Sequence, residues 1–242
     1  MRKNIRILRY DREEKQQYWQ TFIYETDNEE ATVAMALDDL NRRPDLRDAK
    51  GNPAKPIKWE CSCMQSKCGA CAMLINGMPM LACDTRLAME NKAGIELMPL
   101  QKFPVVEDLV VDRKGIFDNL GKLQTWLDEE KPVPEEKEED VLEASRCLQC
   151  GCCLEICTSF VPGETFTGPS AMVSLARLLE NLPESQEERT KTAYRKYVFE
   201  GCEKYNACHH VCPAGIDITR LMAHSDAAVM AAESGSGKRQ QE

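Results

Sequence analysis

Residues 147–157 read CLQCGCCLEIC, which places Cys147, Cys150, Cys153 and Cys157 in the spacing C-x2-C-x2-C-x3-C. In a run of this kind three thiolates serve one iron–sulfur cubane, while the fourth, a helical turn further on, reaches a second cluster. At about 1.5 Å of rise per residue, Cys153 and Cys157 stand only about 6 Å apart along a helix axis. The run therefore predicts two neighbouring clusters in a helical domain. A second copy with one member missing lies downstream, at Cys202, Cys208 and Cys212, followed by Pro213, with Tyr205 where the middle cysteine belongs.

By the logic of bacterial ferredoxins, Cys212 crosses over to complete the cubane of Cys147, Cys150 and Cys153, expected to be [4Fe-4S]. Cys202 and Cys208 then join Cys157 on the other cluster, which has three thiolates only. A corner without a ligand tends to lose its iron, so the expected occupant is [3Fe-4S]; the alternative is a four-iron cluster with a water or an unusual side chain at that corner.

A third group lies nearer the N-terminus: Cys63, Cys68, Cys71 and Cys83, spaced C-x4-C-x2-C-x11-C. This is plant-type [2Fe-2S] ferredoxin spacing. Asn76-Gly77 is a strong two-residue hairpin signal, since both positions tolerate positive φ. Pairing Ile75 with Met78 around it sets Cys83 beside Ala70 and Cys71, which returns the distant thiolate to the loop. Gly69, between two ligands, lets the backbone approach the cluster sulfides. A structural zinc site usually uses two short C-x2-C knuckles, so a zinc-stabilised interaction module is the weaker reading.

Eleven of the thirteen cysteines are thereby assigned. Cys61 and Cys152 fit no ligand spacing and are expected to be buried and to behave as small apolar residues. The chain has 242 residues, 43% apolar and 29% charged, with no signal-like start and no apolar run long enough to span a bilayer. It is expected to be intracellular and soluble by itself, a setting in which clustered cysteines bind metal more often than they form disulfides. A net charge of −9 speaks against nucleic acid as a partner.

The fold expected is α+β. Strands are predicted at 4–10, 18–26, 71–75, 78–83 and 95–100, with a helix at 32–41, and helices at 142–156, 173–182 and 218–232. This corresponds to an N-terminal β-grasp, plant-type [2Fe-2S] ferredoxin domain (1–105) followed by an α-helical bacterial-ferredoxin-like domain (141–232). Between them runs a connecting segment (106–140) ending in the acidic linker DEEKPVPEEKEED, and residues 233–242 are expected to be a flexible tail.

Stretches such as KCGACAMLINGMPMLAC (67–83), RCLQCGCCLEIC (146–157) and the terminal CHHVCP (208–213) resemble the iron–sulfur subunits of succinate dehydrogenases and fumarate reductases. The resemblance spans nearly the whole chain. It implies an oxidoreductase subunit without substrate chemistry of its own, docked to an FAD-containing flavoprotein and to a membrane anchor that binds quinone. It also implies a peripheral place on the cytoplasmic face of the inner membrane, with the two-iron cluster toward the flavin and the three-iron cluster toward the quinone. After Cys157 this chain reads Thr158, Ser159, Phe160, Val161, Pro162, without the tryptophans that line the ubiquinone pocket in many succinate-oxidising members, which favours menaquinone. His209 and His210 follow a three-iron ligand and are candidates for a quinone-side or anchor contact. The competing reading keeps the clusters and changes the partners, to those of a soluble thiol-linked fumarate reductase or another flavin dehydrogenase.

Overall fold

The structure is a computed structural model that describes residues 1–89, 94–129, 132, 135, 138–179 and 181–235. Much of the acidic linker and most of the expected tail lie outside the described residues. The chain forms two compact units that alternate along the sequence: Met1–Arg113 with Cys150–Ile156, and Lys114–Gln149 with Cys157–Glu242.

The first unit is built on a five-stranded mixed sheet in the order β2-β1-β5-β3-β4. Strands β1 (Arg2–Asp11) and β2 (Gln16–Glu25) form a long antiparallel hairpin. Strand β5 (Gly94–Met98) runs parallel to β1, with Ile5 opposite Ile95 and Ile7 opposite Leu97. All four of these side chains are fully buried, as the period-two alternation requires of a sheet with one covered face. Helix α1 (Val33–Asn41) starts at Thr32, whose hydroxyl accepts the Met35 N–H at 3.2 Å, and it buries Val33, Ala34, Ala36, Leu37 and Leu40. The next inward place on β1 holds Arg9, buried in an ion pair of 2.9 Å with Asp108. The Asp108 carboxylate also accepts the Tyr10 and Lys58 N–H groups, so the buried charge is neutralised and hydrogen-bonded at once.

Strands β3 (Ala72–Ile75) and β4 (Met78–Leu81) pair in the register expected from Asn76-Gly77, with φ of 52° and 82° at the turn. The segment after residue 105 holds more structure than a connector: a two-stranded ribbon, β6 (Val105–Glu107) with β7 (Val110–Val111), and helix α2 (Lys114–Leu123).

The predicted helix over 142–156 is broken in two. Helix α3 (Glu138–Ser145) ends before the first cysteine, and α4 (Cys152–Ile156) begins after the second. Gln149 and Gly151 between them are left-handed, with φ of 50° and 93°, which no continuous α-helix accommodates. A Cβ on Gly151 would also lie 3.0 Å from the Phe103 ring, so the position combines a torsional and a steric demand for glycine.

The second unit is helical: α2, α3, α5 (Pro169–Leu179), α6 (Glu184–Tyr194), a π-helical turn (Arg195–Phe199), α7 (Ala207–His210) and α8 (Ile218–Gly235). Its core includes Ala144, Met172, Leu175, Tyr194, Val198, Leu221 and Val229. Helix α6 has no apolar stripe for a sequence pattern to find. It is held by polar burial instead: Gln186 accepts the Asp128 N–H at 2.6 Å and donates to the Trp126 carbonyl at 3.2 Å.

Candidate metal centres

In the first unit the loop 63–71 turns its backbone N–H groups onto sulfur. Three of its residues, Met64, Ser66 and Gly69, have φ between 55° and 75°. Such left-handed steps gather successive N–H groups into a concavity that suits an anion. The Cys63 sulfur accepts the N–H groups of Gln65 and Lys67, both at 3.3 Å, and the Cys83 sulfur accepts that of Ser66 at 3.3 Å. These bonds draw the Cys63 thiol down to about 7. The hairpin delivers Cys83 as its register demands: the Ala82 N–H donates to the Cys71 carbonyl, and the two sulfurs stand 3.4 Å apart. Burial, reinforced by Cys83, pushes the Cys71 thiol up to about 12. A pocket of donors around buried, closely spaced thiols fits a metal–sulfide cluster, because bound cations supply the charge that makes those thiolates stable.

Arg113, which sequence reading passed over, braces the same loop. Its guanidinium donates to the carbonyls of Ala70 at 3.1 Å and Ala72 at 3.2 Å, on either side of Cys71, and pairs with Glu60. Glu155 on α4 ties that helix to the segment after β5, accepting the N–H groups of Gln101 at 2.9 Å and Lys102 at 3.0 Å. Its lone acidic side chain inside a cysteine run gave no sequence signal of that role.

In the second unit, Cys157, Cys202 and Cys208 line one pocket together with Phe166, Met172, Val198, Tyr205, Ile218 and Met222. Burial raises the Cys202 and Cys208 thiols, Cys208 to about 11, and the neighbouring Cys157 thiol adds to both shifts. The Cys202 sulfur touches the Met222 sulfur at 3.5 Å. Tyr205, the residue in place of a cysteine, lines the same pocket but is largely exposed. Among the described residues no three His, Cys, Asp or Glu side chains converge as ligands of a single ion. A cluster makes a different demand, since no more than two of its thiolates bind any one iron atom.

The remaining predicted positions divide between the units: Cys150 and Cys153 belong to the first, Cys147 and Cys212 to the second. Cys152 is fully buried, as expected, and its thiol bonds to the Cys150 sulfur, drawing Cys150 down to about 7 with help from Arg113. Cys61 is exposed, contrary to expectation, because it sits on the irregular segment leading into the loop rather than in the core. His209 lies 3.4 Å from Asp217 and edge-on to His210, while His224 pairs with Asp140 of α3. Arg220 of α8 joins the same cluster through Asp140 at 2.9 Å and through Glu143.

A β-grasp sheet with its nested cysteine loop and, further along the chain, two bacterial-type cysteine runs define an iron–sulfur protein of combined plant-type and bacterial ferredoxin build. Residues 4–118 match the 2Fe-2S iron-sulfur cluster binding domain and residues 143–216 the 4Fe-4S dicluster domain. The succinate dehydrogenase iron-sulfur subunit of Bacillus subtilis is 34% identical over 79% of this chain and 78% of its own length. The fumarate reductase iron-sulfur subunit of Wolinella succinogenes is 29% identical over 69% of this chain and 75% of its own. A chain of the Mycobacterium smegmatis Sdh1 complex in the apo form shares the fold, with a TM-score of 0.72 at 22% identity over 98% of both chains. The chain belongs to the family of succinate dehydrogenase and fumarate reductase iron–sulfur subunits. Among the described residues no helix is long and apolar enough to cross a membrane.

Proposed function

We propose that this chain is the electron-transfer subunit of a succinate dehydrogenase or fumarate reductase, placed between the FAD of a flavoprotein subunit and a membrane quinone, with menaquinone favoured. The partners are then an FAD-containing subunit and a quinone-binding anchor, with the chain peripheral on the cytoplasmic face of the inner membrane. Cys63, Cys68, Cys71 and Cys83 hold [2Fe-2S]; Cys147, Cys150, Cys153 and Cys212 hold [4Fe-4S]; Cys157, Cys202 and Cys208 hold [3Fe-4S]. Bound, these groups supply one-electron carriers in series. The work of the protein is to fix their thiolates and to set the polarity around each sulfur. The observation that carries the reading is the gathering of Cys157, Cys202 and Cys208 on one pocket, with Tyr205 rather than a fourth thiol at its edge.

An anaerobic preparation tests it. Iron analysis should return about nine irons per chain, and the oxidised protein should give a three-iron paramagnetic signal. Stoichiometric zinc, or silence in the oxidised state, rejects the assignment. Tyr205→Cys should admit a fourth iron and abolish that signal; a signal unchanged in the variant means Tyr205 does not occupy the vacant corner. Co-purification separates the partners, since a flavoprotein with a membrane protein supports the quinone-linked reading and a soluble thiol-dependent fumarate reductase overturns it.

A further inference from the structure

Gln149 follows Cys147 by two residues and is left-handed, so its side chain folds back over its own loop. Its amide nitrogen lies 3.3 Å from the Cys147 sulfur and 2.7 Å from the Ser174 hydroxyl of α5. Ser174 and Ser170 are both buried, and the Ser174 hydroxyl donates to the Ser170 carbonyl at 3.1 Å. A hydroxyl has one proton, and here it is committed. With that proton on Ser170, the Ser174 oxygen accepts from the amide NH2, and the reverse orientation would turn the amide oxygen toward the Cys147 sulfur, a repulsive contact with a thiolate. The other amide proton is then aimed at the Cys147 sulfur.

We propose that Gln149 is a positioning residue that donates an N–H···S hydrogen bond to the Cys147 thiolate, locked by Ser174 and Ser170, and thereby raises the reduction potential of the cluster Cys147 holds. The inference rests on the assignment of Cys147 as a [4Fe-4S] ligand. Its physical basis is that a donor dipole fixed on a ligand sulfur stabilises the more electron-rich, reduced state. The second cysteine run supplies an internal contrast. Lys204 stands two residues after Cys202, as Gln149 does after Cys147, and it has the same left-handed backbone, φ 59° against 50°. Its side chain turns away to Asp226, at 2.9 Å. The two runs thus share a backbone turn and differ in what that turn presents to sulfur.

The test is an electron paramagnetic resonance redox titration of the assembled complex carrying Gln149→Leu or Ser174→Ala. Gln149→Leu should shift the cubane midpoint to lower potential while the two-iron and three-iron midpoints stay put. The reduced cubane should also lose an exchangeable-proton coupling that the parent loses only in heavy water. Ser174→Ala, which leaves the amide present but unlocked, should give a smaller shift of the same sign. An unmoved cubane midpoint at full iron content, or an equal movement of all three midpoints, overturns the proposal. Should Gln149→Leu fail to retain iron, Ser174→Ala decides alone, and no shift in it overturns the proposal. A parent complex with no cubane signal would instead remove the ligand assignment, and this inference with it.

Discussion

Around Cys63 and Cys83 the sulfurs are met by backbone: three left-handed residues turn N–H groups inward, and an arginine grips the carbonyls on both sides of Cys71. Around Cys157, Cys202 and Cys208 apolar side chains predominate, chiefly Phe166, Met172, Val198, Ile218 and Met222, and the backbone N–H groups of Lys204 and His209 are the lesser influence on Cys202 and Cys208. The thiols follow their local surroundings: in the first site Cys63 is drawn down by backbone donors while the buried Cys71 is pushed up, and in the second burial pushes up both Cys202 and Cys208. The first site should tolerate side-chain changes and fail with backbone changes, and the second should do the reverse.

Two glycine-to-alanine changes put that contrast under load. A Cβ at Gly201 would sit 2.6 Å from the Cβ of Phe166, a residue that lines the three-thiol pocket, so Gly201→Ala should cost about 1–3 kcal/mol by overpacking. Denaturant melts would show the loss, accompanied by a weakened three-iron signal with the two-iron signal intact. Gly77→Ala meets nothing within 4 Å, yet its φ of +82° imposes about 1 kcal/mol of torsional strain on the hairpin that carries Cys83. Here the two-iron signal should suffer and the three-iron signal persist. If both variants weakened both signals alike, the distinction between a backbone-built and a side-chain-built site would be lost.

The smallest expected effect concerns pH and lies in the helical unit alone. Burial would raise the Glu143 carboxyl, but the Asp217 N–H and Arg220 outweigh it and hold the group below its ordinary 4.5. A depressed carboxylate contributes stability in full above its unfolded value and loses it as pH falls through the folded one. Glu143→Gln should therefore be less stable than the parent at neutral pH, with the difference closing below about pH 4.5. Urea midpoints at neutral and acid pH would measure it; a difference independent of pH would mean the carboxylate charge plays no part.

Much of this was readable from the chain. The Asn76-Gly77 turn set the register that brings Cys83 to Cys71, because a two-residue loop leaves one pairing. The cysteine run was harder. Its spacing singles out the cysteines as a group, but helical periodicity drew a continuous helix through 142–156, where Gln149 and Gly151 break it. Torsion angles of that kind leave a trace in sequence at glycine, asparagine or aspartate, and Gln149 is none of these. Arg113 and Glu155 were invisible because each acts through long-range contacts with backbone, and Gln149 because its contact with the nearby Cys147 sulfur depends on a left-handed turn and on the distant Ser174.

The alternation of the two units along the chain bears on how the protein is made. Residues 150–156 belong with a sheet whose last strand before them ended at Met98, and Glu155 must reach back to Gln101 and Lys102. During synthesis the β-grasp sheet leaves the ribosome before its α4 piece exists, and that piece emerges flanked by segments of the other unit. Excision at residue 113 would strip the sheet of a native part, and excision from residue 114 would carry that part off with the wrong half. The halves are braided in sequence, so a gene cut at the apparent border yields neither one whole.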